Sequence, residues 1–392
     1  MKISEILGQI PTELTDQLAK DTGVNHSIQR LRGQVMLDLL LFGMVRSERL
    51  STRVLERFYN SALFTYSSCK DKDHRTRHSS IADRLKTMNP SYFKAIFEWA
   101  FKRYFNDFGG TKWMKKLIRF DSTMIKISSA LVEWGMRVGR KPKNTPEKVQ
   151  LKVTLGMKGM FPKNVKLFVN QKALSEENAL KNAILANSAN KDEIVSFDMG
   201  LKSRKTLQKF DNKDIKFVTK GKENLRYKVL ESKDNLPDNQ DGLRFLQDSV
   251  VYLYTAKNKT FQHRFRLIEV QDIETSEKLF FITNISDLEA TTIAQIYQHR
   301  WDIEVFFRFI KQELNIKHLL SHSLNGIKIQ IYVTLLLAIL LTVFTKSNNL
   351  KGYKIPKIMF EQQLMIYIVN ELILANELIK SHGDGIHKQS LN

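Results

Sequence analysis

The spacing of apolar residues changes character about a quarter of the way along the chain. Before that point, apolar side chains recur every three or four positions, which is the spacing of one helix face. Residues 35–45 and 93–104 show this pattern most strongly. A Gly-Gly pair at 109–110 then interrupts it, as glycines often do at a domain boundary. The pattern predicts a helical domain over residues 1–110.

Beyond residue 112, short apolar runs with period two alternate with helical patterns. The predicted strands are residues 117–120, 149–155, 165–169, 194–197 and 215–219. The predicted helices are residues 175–186 and 201–210. Three strands, a helix, a strand, a helix and a strand is the element order of an RNase H-like α/β fold. Right-handed crossovers would bring these strands into one mixed sheet.

Residues 222–285 interrupt this alternation. Strand-like runs follow one another there without a helix long enough for a crossover, and a polar loop at 231–242 separates them. This order predicts an antiparallel β insertion within a domain that spans residues 111–345. The apolar run 331–344 is short for a membrane span and is predicted to be a buried core helix. Residues 346–392 are predicted to form a C-terminal helical region and tail.

Charge narrows the possible partners of such a protein. The chain has 62 Lys and Arg against 41 Asp and Glu, a net charge of +21. An excess of this size indicates a polyanionic partner, either nucleic acid or an anionic membrane surface. The only cysteine, Cys69, excludes an internal disulfide and a thiolate-rich zinc site. Because no signal peptide opens the sequence, the protein is expected to be cytoplasmic and associated with DNA.

Basic residues concentrate in two stretches. Residues 112–166 hold fourteen Lys and Arg against three acidic residues. A surface kept only for solubility would mix the signs more evenly, so a DNA backbone is the expected partner of this stretch. Residues 69–78 are interpreted either as a solvated loop or as a phosphate-contacting loop of a DNA-recognition domain. The basic residues of that loop are Lys70, Lys72, Arg75 and Arg77.

Residues 297–311, YQHRWDIEVFFRFIK, combine an apolar face with a polar stripe. Ser286 and Glu289 resemble a capping box, which predicts that this helix begins nearby. An amphipathic helix with a solvated stripe is the ordinary interpretation of any single residue here. On one continuous helix with about 100° per residue, four polar residues fall within roughly 60° of one another. They are Tyr297, Arg300, Glu304 and Lys311.

Three carboxylates are candidates for a divalent-ion site. Asp121 directly follows one predicted apolar strand, Asp198 follows another, and Glu304 lies on the predicted helix. In an RNase H-like sheet these side chains can converge although they are far apart in sequence. Carboxylate oxygens bind Mg²⁺ without any cysteine or histidine, and two such ions support phosphodiester cleavage. A turn or helix-cap role is the alternative for either aspartate taken alone. Asp192 and Glu193 are expected in a solvated turn.

The Tyr-x2-Arg-x3-Glu-x6-Lys pattern resembles the signature of the DDE transposases of bacterial insertion sequences, in the family-four group that this signature defines. The resemblance is strongest over residues 265–320. It implies that Glu304 is the third metal-binding carboxylate. It also implies that Tyr297, Arg300 and Lys311 contact DNA phosphates at the end of the transposon.

The first two carboxylates of this family match Asp121 and Asp198 by their strand context and by the sequences FDST and FDMG around them. Relatives often have an aromatic residue soon after the second Asp-x-Gly, where this chain has Leu201. Asp121, Asp198 and Glu304 are therefore expected to hold two Mg²⁺ ions, for which Mn²⁺ can substitute.

The resemblance implies cut-and-paste transposition by DNA strand cleavage and transfer. The expected partners are double-stranded DNA, as terminal inverted repeats and as target, and a second copy of the chain in a synaptic homodimer. No membrane partner is expected. The helical domain, residues 1–110, is expected to recognise the element's ends. The alternatives are an RNase H-like nuclease without strand transfer and a non-catalytic DNA-binding repressor derived from a transposase.

Trp301 lies about 40° from Tyr297 on the helix wheel. With Tyr297, Arg300 and Lys311 it is predicted to form a phosphate-and-base clamp beside Glu304. The indole would stack on an unpaired base in that clamp. Packing at the edge of the core is the other interpretation of Trp301, and the sequence leaves both open.

Overall fold

Helices occupy the beginning and the end of the chain, and strands occupy its middle. The structure, a computed structural model, describes residues 5–6, 10–64, 75–127, 136–137, 149–169, 175–187, 192–233, 235–255, 259–314, 316 and 318–388. The helices are α1 (Thr12–Thr22), α2 (Gly33–Arg46), α3 (Thr52–Tyr59), α4 (His78–Thr87), α5 (Ser91–Phe108), α6 (Glu176–Asn187), α7 (Arg204–Asp211), α8 (Ala290–Gln298), α9 (Trp301–Gln312), α10 (Leu324–Ser347) and α11 (Lys354–Lys388). The strands are β1 (Leu117–Ile127), β2 (Met136–Arg137), β3 (Val149–Lys158), β4 (Phe161–Phe168), β5 (Ile194–Phe197), β6 (Lys216–Lys220), β7 (Tyr227–Ser232), β8 (Leu243–Tyr254), β9 (Thr260–Asp272) and β10 (Lys278–Thr283).

The chain divides into two units. Met1–Phe108 and Arg308–Asn392 together form a helical unit, and Gly109–Phe307 form a unit built on the sheet. The first division lies close to the boundary predicted at residue 110. By contrast, α10, which the sequence analysis assigned to the domain 111–345, belongs to the helical unit. The functional roles assigned to these domains stay predictions.

The helical unit is built around α10. Its residues are buried almost without interruption from Gly326 to Phe344, because α2, α4, α5 and α11 pack against it. Among the described helices, α10 is the one that is long and apolar enough to cross a membrane by length and composition alone. The predicted burial of residues 331–344 is confirmed, and the helix extends past this run at both ends. Ser323 caps it by accepting a hydrogen bond from the N–H of Gly326 at 3.0 Å.

β1 lies at the centre of the sheet's first half. On one side it pairs antiparallel with β3, which pairs in turn with β4. On the other side it pairs in parallel with β5, and β5 pairs in parallel with β6. Parallel neighbours need a crossover connection, and α7 lies between β5 and β6 in the chain while α6 lies between β4 and β5. The described strand order is therefore β4-β3-β1-β5-β6 in this half.

β7 to β10 extend the same sheet. β10 pairs antiparallel with both β6 and β9, and β8 pairs antiparallel with both β9 and β7. The antiparallel pairing predicted for residues 222–285 is thus present as an extension of the sheet. Alternate residues serve two cores, as the period of a strand requires. Phe217 and Leu267 face one core, whereas Val218 and Ile268 face the other, to which α8 contributes.

Arg266 ties this extension to the start of α8. Its Nε and Nη2 bond to Oδ1 and Oδ2 of Asp248 at 2.8 and 2.7 Å, and both side chains are buried. Its Nη1 donates to the carbonyl oxygens of Ile285 and Leu288 at 3.1 and 2.6 Å. One guanidinium therefore joins two strands to the segment that leads into the helix. Such a fork suits a planar arginine and would not suit a lysine.

We expect Arg266→Met to lower the free energy of unfolding by roughly 3 kcal/mol, because it leaves the buried Asp248 without its main partner. That is near the lower end of the usual cost, since Lys233 still lies 3.3 Å from the Asp248 carboxylate. Arg264→Met is the matched control on the same strand. Arg264 pairs with Glu231 and both are exposed, so its loss should cost less than about 1 kcal/mol. Urea unfolding measures both, and equal losses would contradict this role of Arg266.

Candidate active site

Asp121 and Asp198 lie level with one another on neighbouring parallel strands. The last matched pair between β1 and β5 is Arg119 with Ser196. Continuing this register by two residues brings Asp121 level with Asp198, and neighbouring strands lie about 4.8 Å apart. Level residues on adjacent strands point to the same side of a sheet. The two carboxylates predicted from strand context are therefore close together.

Asp121 does not follow the end of its strand, so this part of the prediction is wrong. β1 continues to Ile127, because β3 pairs with it over that whole length and sets Leu155 opposite Asp121. β5 pairs with the other edge of β1 and ends at Phe197, so this edge of β1 is open beside Asp121. Asp198 is the first residue past that strand, as predicted. The site thus lies where β1 continues beyond the end of its parallel neighbour, β5.

Burial dominates the electrostatics of Asp121. It raises the pKa of this carboxyl to about 7, and the negative charges of Asp198 and Glu176 act in the same direction. Two groups oppose the shift. The backbone N–H of Ser122 donates to Asp121 Oδ1 at 2.7 Å, and the charge of Arg300 also lowers the pKa. A proton on Asp121 at neutral pH thus lowers the repulsion between this side chain and the carboxylates of Asp198 and Glu176.

Asp198 lies against a tight turn and a second acid. The N–H of Gly200 donates to Asp198 Oδ1 at 2.8 Å. A Cβ added to Gly200 would stand 2.8 Å from that oxygen and 2.6 Å from Cγ of Glu176, so only glycine fits there without displacement. Glu176 begins α6, and the sequence analysis did not single it out. No local pattern distinguishes it from Glu177 beside it; only the fold brings it to Asp198.

The polar stripe of residues 297–311 comes from two helices. α8 ends at Gln298 and α9 begins at Trp301, so the single continuous helix that the periodicity predicts is wrong. The N–H of Arg300 bonds to the carbonyl of Tyr297 at 2.9 Å, which is the spacing of a tight 3₁₀ turn. Part of the stripe nevertheless stays together. Arg300 Nη2 lies 2.5 Å from Glu304 Oε1, and its guanidinium lies 5.5 Å from the centre of the Tyr297 ring.

The capping box predicted at Ser286 and Glu289 is also wrong. α8 begins at Ala290 with Glu289 as its N-cap residue, and no side-chain hydrogen bond caps it. The carbonyls of Ile285 and Leu288 instead accept hydrogen bonds from Arg266. This contact holds the segment before the helix on the sheet.

Tyr297 and Arg300 are electrostatically coupled to Asp198, and Glu304 is coupled to both of them. Burial raises the pKa of Tyr297; the charge of Arg300 opposes this shift, while those of Asp198 and Glu304 add to it. Burial by itself would lower the pKa of Arg300, but Tyr297, Glu304 and Asp198 raise it overall. Arg300 is thus the positive centre of a group of acids, and Glu304 is its hydrogen-bonded partner.

Asp302, the neighbour that competes with Glu304 in sequence, is used elsewhere. Its Oδ2 accepts from Nη1 of Arg119 at 2.6 Å, and the Arg119 side chain is fully buried. His299 Nδ1 lies 3.1 Å from the same oxygen, and Trp113 packs edge-on against the His299 ring at 5.1 Å. These contacts fix the turn between α8 and α9 and do not involve Glu304.

The remaining clamp residues lie on α9. Trp301 is its first residue and leaves 52% of its surface exposed, which does not suit a core position. Lys311 lies in the last turn of α9 and belongs to the helical unit. The described interactions therefore link Arg300 and Tyr297 electrostatically to the aspartates, and Glu304 to Arg300.

Some basic residues of the stretch 112–166 form ion pairs within the sheet unit or are buried in it. Lys158 and Lys163 lie 2.5 and 3.2 Å from Glu193 Oε1, and Glu193 is buried, so the solvated turn predicted there is wrong for this residue. Lys152 is also buried. Residues 138–148, with four more basic side chains, lie outside the described residues. The charge that faces solvent is thus smaller than the sequence count indicates.

The predicted phosphate-contacting loop 69–78 falls largely outside the described residues, which resume at Arg75. Lys70 and Lys72 are therefore not described, nor is His74. His78 begins α4 and bonds through Nδ1 to Glu56 Oε2 at 2.9 Å. The proposed DNA contact of this loop stays a prediction.

The chemistry of the donors fits a hard cation. Asp121, Asp198 and Glu304 offer only carboxylate oxygens, the ligands that Mg²⁺ prefers. As the described side chains stand, no three or more of Asp, Glu, His and Cys are grouped closely enough to hold an ion. Glu304 is turned to Arg300 instead. Ion binding at the aspartates would therefore require Glu304 to exchange Arg300 for the ion.

Comparisons with known proteins identify the family of the chain. Residues 112–341 match the family model described as the transposase DDE domain. A putative transposase y4zB of Sinorhizobium fredii is 28% identical over 134 residues, 34% of this chain and 37% of the relative. A putative transposase for insertion sequence element IS4SA of a Synechocystis species is 31% identical over 166 residues, 40% of this chain and 46% of the relative. The matched segments thus span less than half of either relative.

Among solved structures, the chain resembles a cryo-EM structure of a piggyBac transposase synaptic complex with hairpin DNA. The sequence identity is 10% and the TM-score is 0.45, over 92% of this chain and 79% of that one.

The raised pKa of Asp121 predicts a pH dependence of stability. The folded protein holds this proton up to about pH 7, whereas the unfolded chain releases it near pH 3.8. Folding takes up a proton between these values, so the contribution of Asp121 is fully present below this window. It is lost as the pH rises, by up to about 1.4 kcal/mol per unit.

Urea titrations in EDTA at several pH values test this expectation. The stability of wild type relative to Asp121→Asn should fall as the pH rises through the window. Asp287→Asn, which removes an exposed carboxylate of the same unit, should show no such trend. A difference between wild type and Asp121→Asn that stays flat would mean that the folded carboxyl is already ionised.

Proposed function

The chain belongs to the transposase DDE domain family, and from this premise we propose that it is a DNA transposase that moves an insertion sequence by cut and paste. The observation that carries the proposal is the level pair of Asp121 and Asp198, with Arg300, the partner of Glu304, within electrostatic reach of both aspartates. Paired carboxylates at an open strand edge suit metal-assisted phosphodiester chemistry. The Synechocystis relative is named as a putative transposase for an insertion sequence element, which supports the same substrate.

We propose that the sheet unit contains an RNase H-like core. The strand order β4-β3-β1-β5-β6, with β5 and β6 parallel to β1 and two intervening helices, supports this assignment. The β insertion would then be β7 to β10. Because its β10 pairs with β6, the insertion continues the sheet on the side away from β4.

In the proposed mechanism, Asp121, Asp198 and Glu304 hold two Mg²⁺ ions, or Mn²⁺ in their place. Bound ions would lower the pKa of the attacking water and stabilise charge on the phosphate. Asp121 must give up its proton for this state, and Glu304 must leave Arg300. The departure of Glu304 frees a planar guanidinium beside the site, and such a fork suits a DNA phosphate. The movement of Glu304 away from Arg300 would thus make its carboxylate available to the ions and the guanidinium available to a DNA phosphate.

We propose that Tyr297, Arg300, Trp301 and Lys311 form the phosphate-and-base clamp. The half-exposed indole of Trp301 supports stacking on an unpaired base over packing in the core. The Arg300 guanidinium already lies over the Tyr297 ring. The two side chains would keep this contact while they bind DNA. Lys311 adds a point charge from the end of the same helix, α9.

The proposed partners are the terminal inverted repeats and target DNA, and a second copy of the chain in a synaptic homodimer. End recognition is assigned to the helices of residues 1–110. Because those helices share a unit with α10, end binding should be measured on the full chain. The proposed location is the bacterial cytoplasm, on the nucleoid when DNA is bound.

A strand-transfer assay with the flanking inverted repeats separates this proposal from its alternatives. A transposase joins the cleaved ends to target DNA. An RNase H-like nuclease cuts without joining, and a repressor derived from a transposase binds without cutting. Either of the last two outcomes would overturn the proposed function.

We expect Asp121→Asn, Asp198→Asn and Glu304→Gln each to abolish cleavage while end binding is retained. Each removes an ion ligand worth several kcal/mol of transition-state stabilisation, which corresponds to about a thousandfold or more in rate. Cleavage of end DNA in Mg²⁺ and a gel shift measure the two properties. Asp287→Asn serves as the control and should cut normally, since Asp287 is exposed and pairs only loosely with Lys216 at 3.8 Å. Near-normal cutting by any of the three variants would remove that residue from the site.

We expect Trp301→Ala to nick the first strand normally and to fail at the following step. Loss of one stacked base should cost roughly 1–3 kcal/mol at that step. Yields of nicked and of double-strand-broken or hairpin product are measured beside a melting curve. Trp113→Ala is the control, because Trp113 is also partly exposed but packs on His299 at the opposite side of the turn. Parallel loss of both products with a lower melting temperature would rule out the clamp for Trp301.

A further inference from the structure

Glu176 stands beside the aspartates and has no assigned role. A Cβ built on Gly200 would lie 2.6 Å from its Cγ, 3.2 Å from its Cδ and 2.8 Å from Asp198 Oδ1. Glu176 and Asp198 therefore both lie next to the same small glycine. Asp121 is close to both, since their two charges act on it. Three acids thus lie near one another at the open edge of β1, although as they stand they are not grouped closely enough to hold an ion.

The partners of Glu176 and Glu304 differ. Glu304 is hydrogen-bonded to Arg300 at 2.5 Å. The described cation whose charge reaches Glu176 is Lys152, a buried residue of β3. No hydrogen bond between Glu176 and a cation is described, whereas Glu304 is held by a guanidinium. Of these two glutamates, Glu176 needs the smaller rearrangement to share an ion with Asp198.

The position of Glu176 in its helix is also suitable. It is the first residue of α6, where the partial positive charge of a helix N-terminus acts against the rise in the Glu176 pKa that burial and the charge of Asp198 cause. α6 packs against β1 and β3, so its first turn has a fixed place on the sheet. A carboxylate on such an element is better positioned than one on a free loop.

We propose that Glu176 is a fourth carboxylate of the ion-binding site, together with Asp121, Asp198 and Glu304. This inference rests on the proposed function. It also gives the glycine of the FDMG sequence a physical reason, because any side chain at position 200 would push Glu176 away from Asp198. The ion would be approached by Glu176 from α6 and by Glu304 from α9.

Calorimetric titration of the full chain with Mn²⁺ and with Mg²⁺, without DNA, is the direct test. Glu176→Gln should weaken ion binding about 10- to 100-fold, the range for losing a group that supports a metal site. Glu177→Gln is the matched control: it makes the same charge change in the same helix turn and should bind ions as wild type does. Equal ion affinities of these two variants would overturn the proposal.

Gly200→Ala provides a second route that leaves Glu176 in place. Its Cβ should displace the Glu176 side chain and weaken ion binding to a similar extent. In a Glu176→Ala background, where Cγ is gone, the same change should cost little more. A full additional loss in that background would mean that Gly200 acts through Asp198 alone, and would count against Glu176.

Parallel cleavage assays separate this inference from the proposed function. If wild type cuts end DNA, Glu304→Gln does not, and Glu176→Gln cuts and binds ions normally, only the role of Glu176 is overturned. If wild type binds ions but never cuts, the proposed function falls. The calorimetric comparison of Glu176→Gln with Glu177→Gln then still decides whether Glu176 belongs to an ion site.

Discussion

Asp121 and Asp198 would repel each other strongly if both were charged at the distance between neighbouring strands. Two unit charges about 5 Å apart interact by about 3 kcal/mol at an effective dielectric constant of about 20. The structure meets this repulsion with one backbone N–H for each acid, from Ser122 and from Gly200. A hydrogen bond to a charged group contributes about 1.5–3 kcal/mol, so these donors are comparable with the repulsion. The remainder is relieved by the proton that burial keeps on Asp121.

What the sequence could predict follows from which interactions are local. The strand before Asp198 lies where the sequence predicts it, because a short run between turns, with three of its four residues buried, forms a local pattern. The end of β1 was missed because its length is set by β3, a partner about thirty residues away. The turn between α8 and α9 was missed for a similar reason. No glycine or proline marks it, and the buried Arg119 of β1 donates to the carbonyl of His299 at 3.5 Å and to Asp302 at 2.6 Å. Glu176 is the extreme case, since only the crossover brings it to the site.

The net charge of this protein is informative, but it does not show how many basic residues lie on the surface. The net charge of +21 indicates a polyanionic partner, and the family supports DNA. Yet several basic residues closest to the aspartates in sequence serve the fold. Arg119 pairs with Asp302, while Lys158 and Lys163 share the buried Glu193. A buried ion pair of this kind gains little stability over an apolar replacement, but removing one partner is costly. These residues therefore constrain the geometry of the site more than its affinity for a polyanion.

The helical unit is assembled from both ends of the chain, and this has a consequence for synthesis on the ribosome. About 200 residues of the sheet unit separate α5 from the segment that leads to α10. At about 5–20 residues per second, the first helices emerge roughly 10–40 s before the helix that covers them. The apolar faces of α2 and α5 must stay unpaired during that interval, while the sheet unit can already fold. A nascent chain of this arrangement exposes apolar surface for longer than one whose units are contiguous. It therefore depends more on chaperones that prevent association of helices not yet packed against α10.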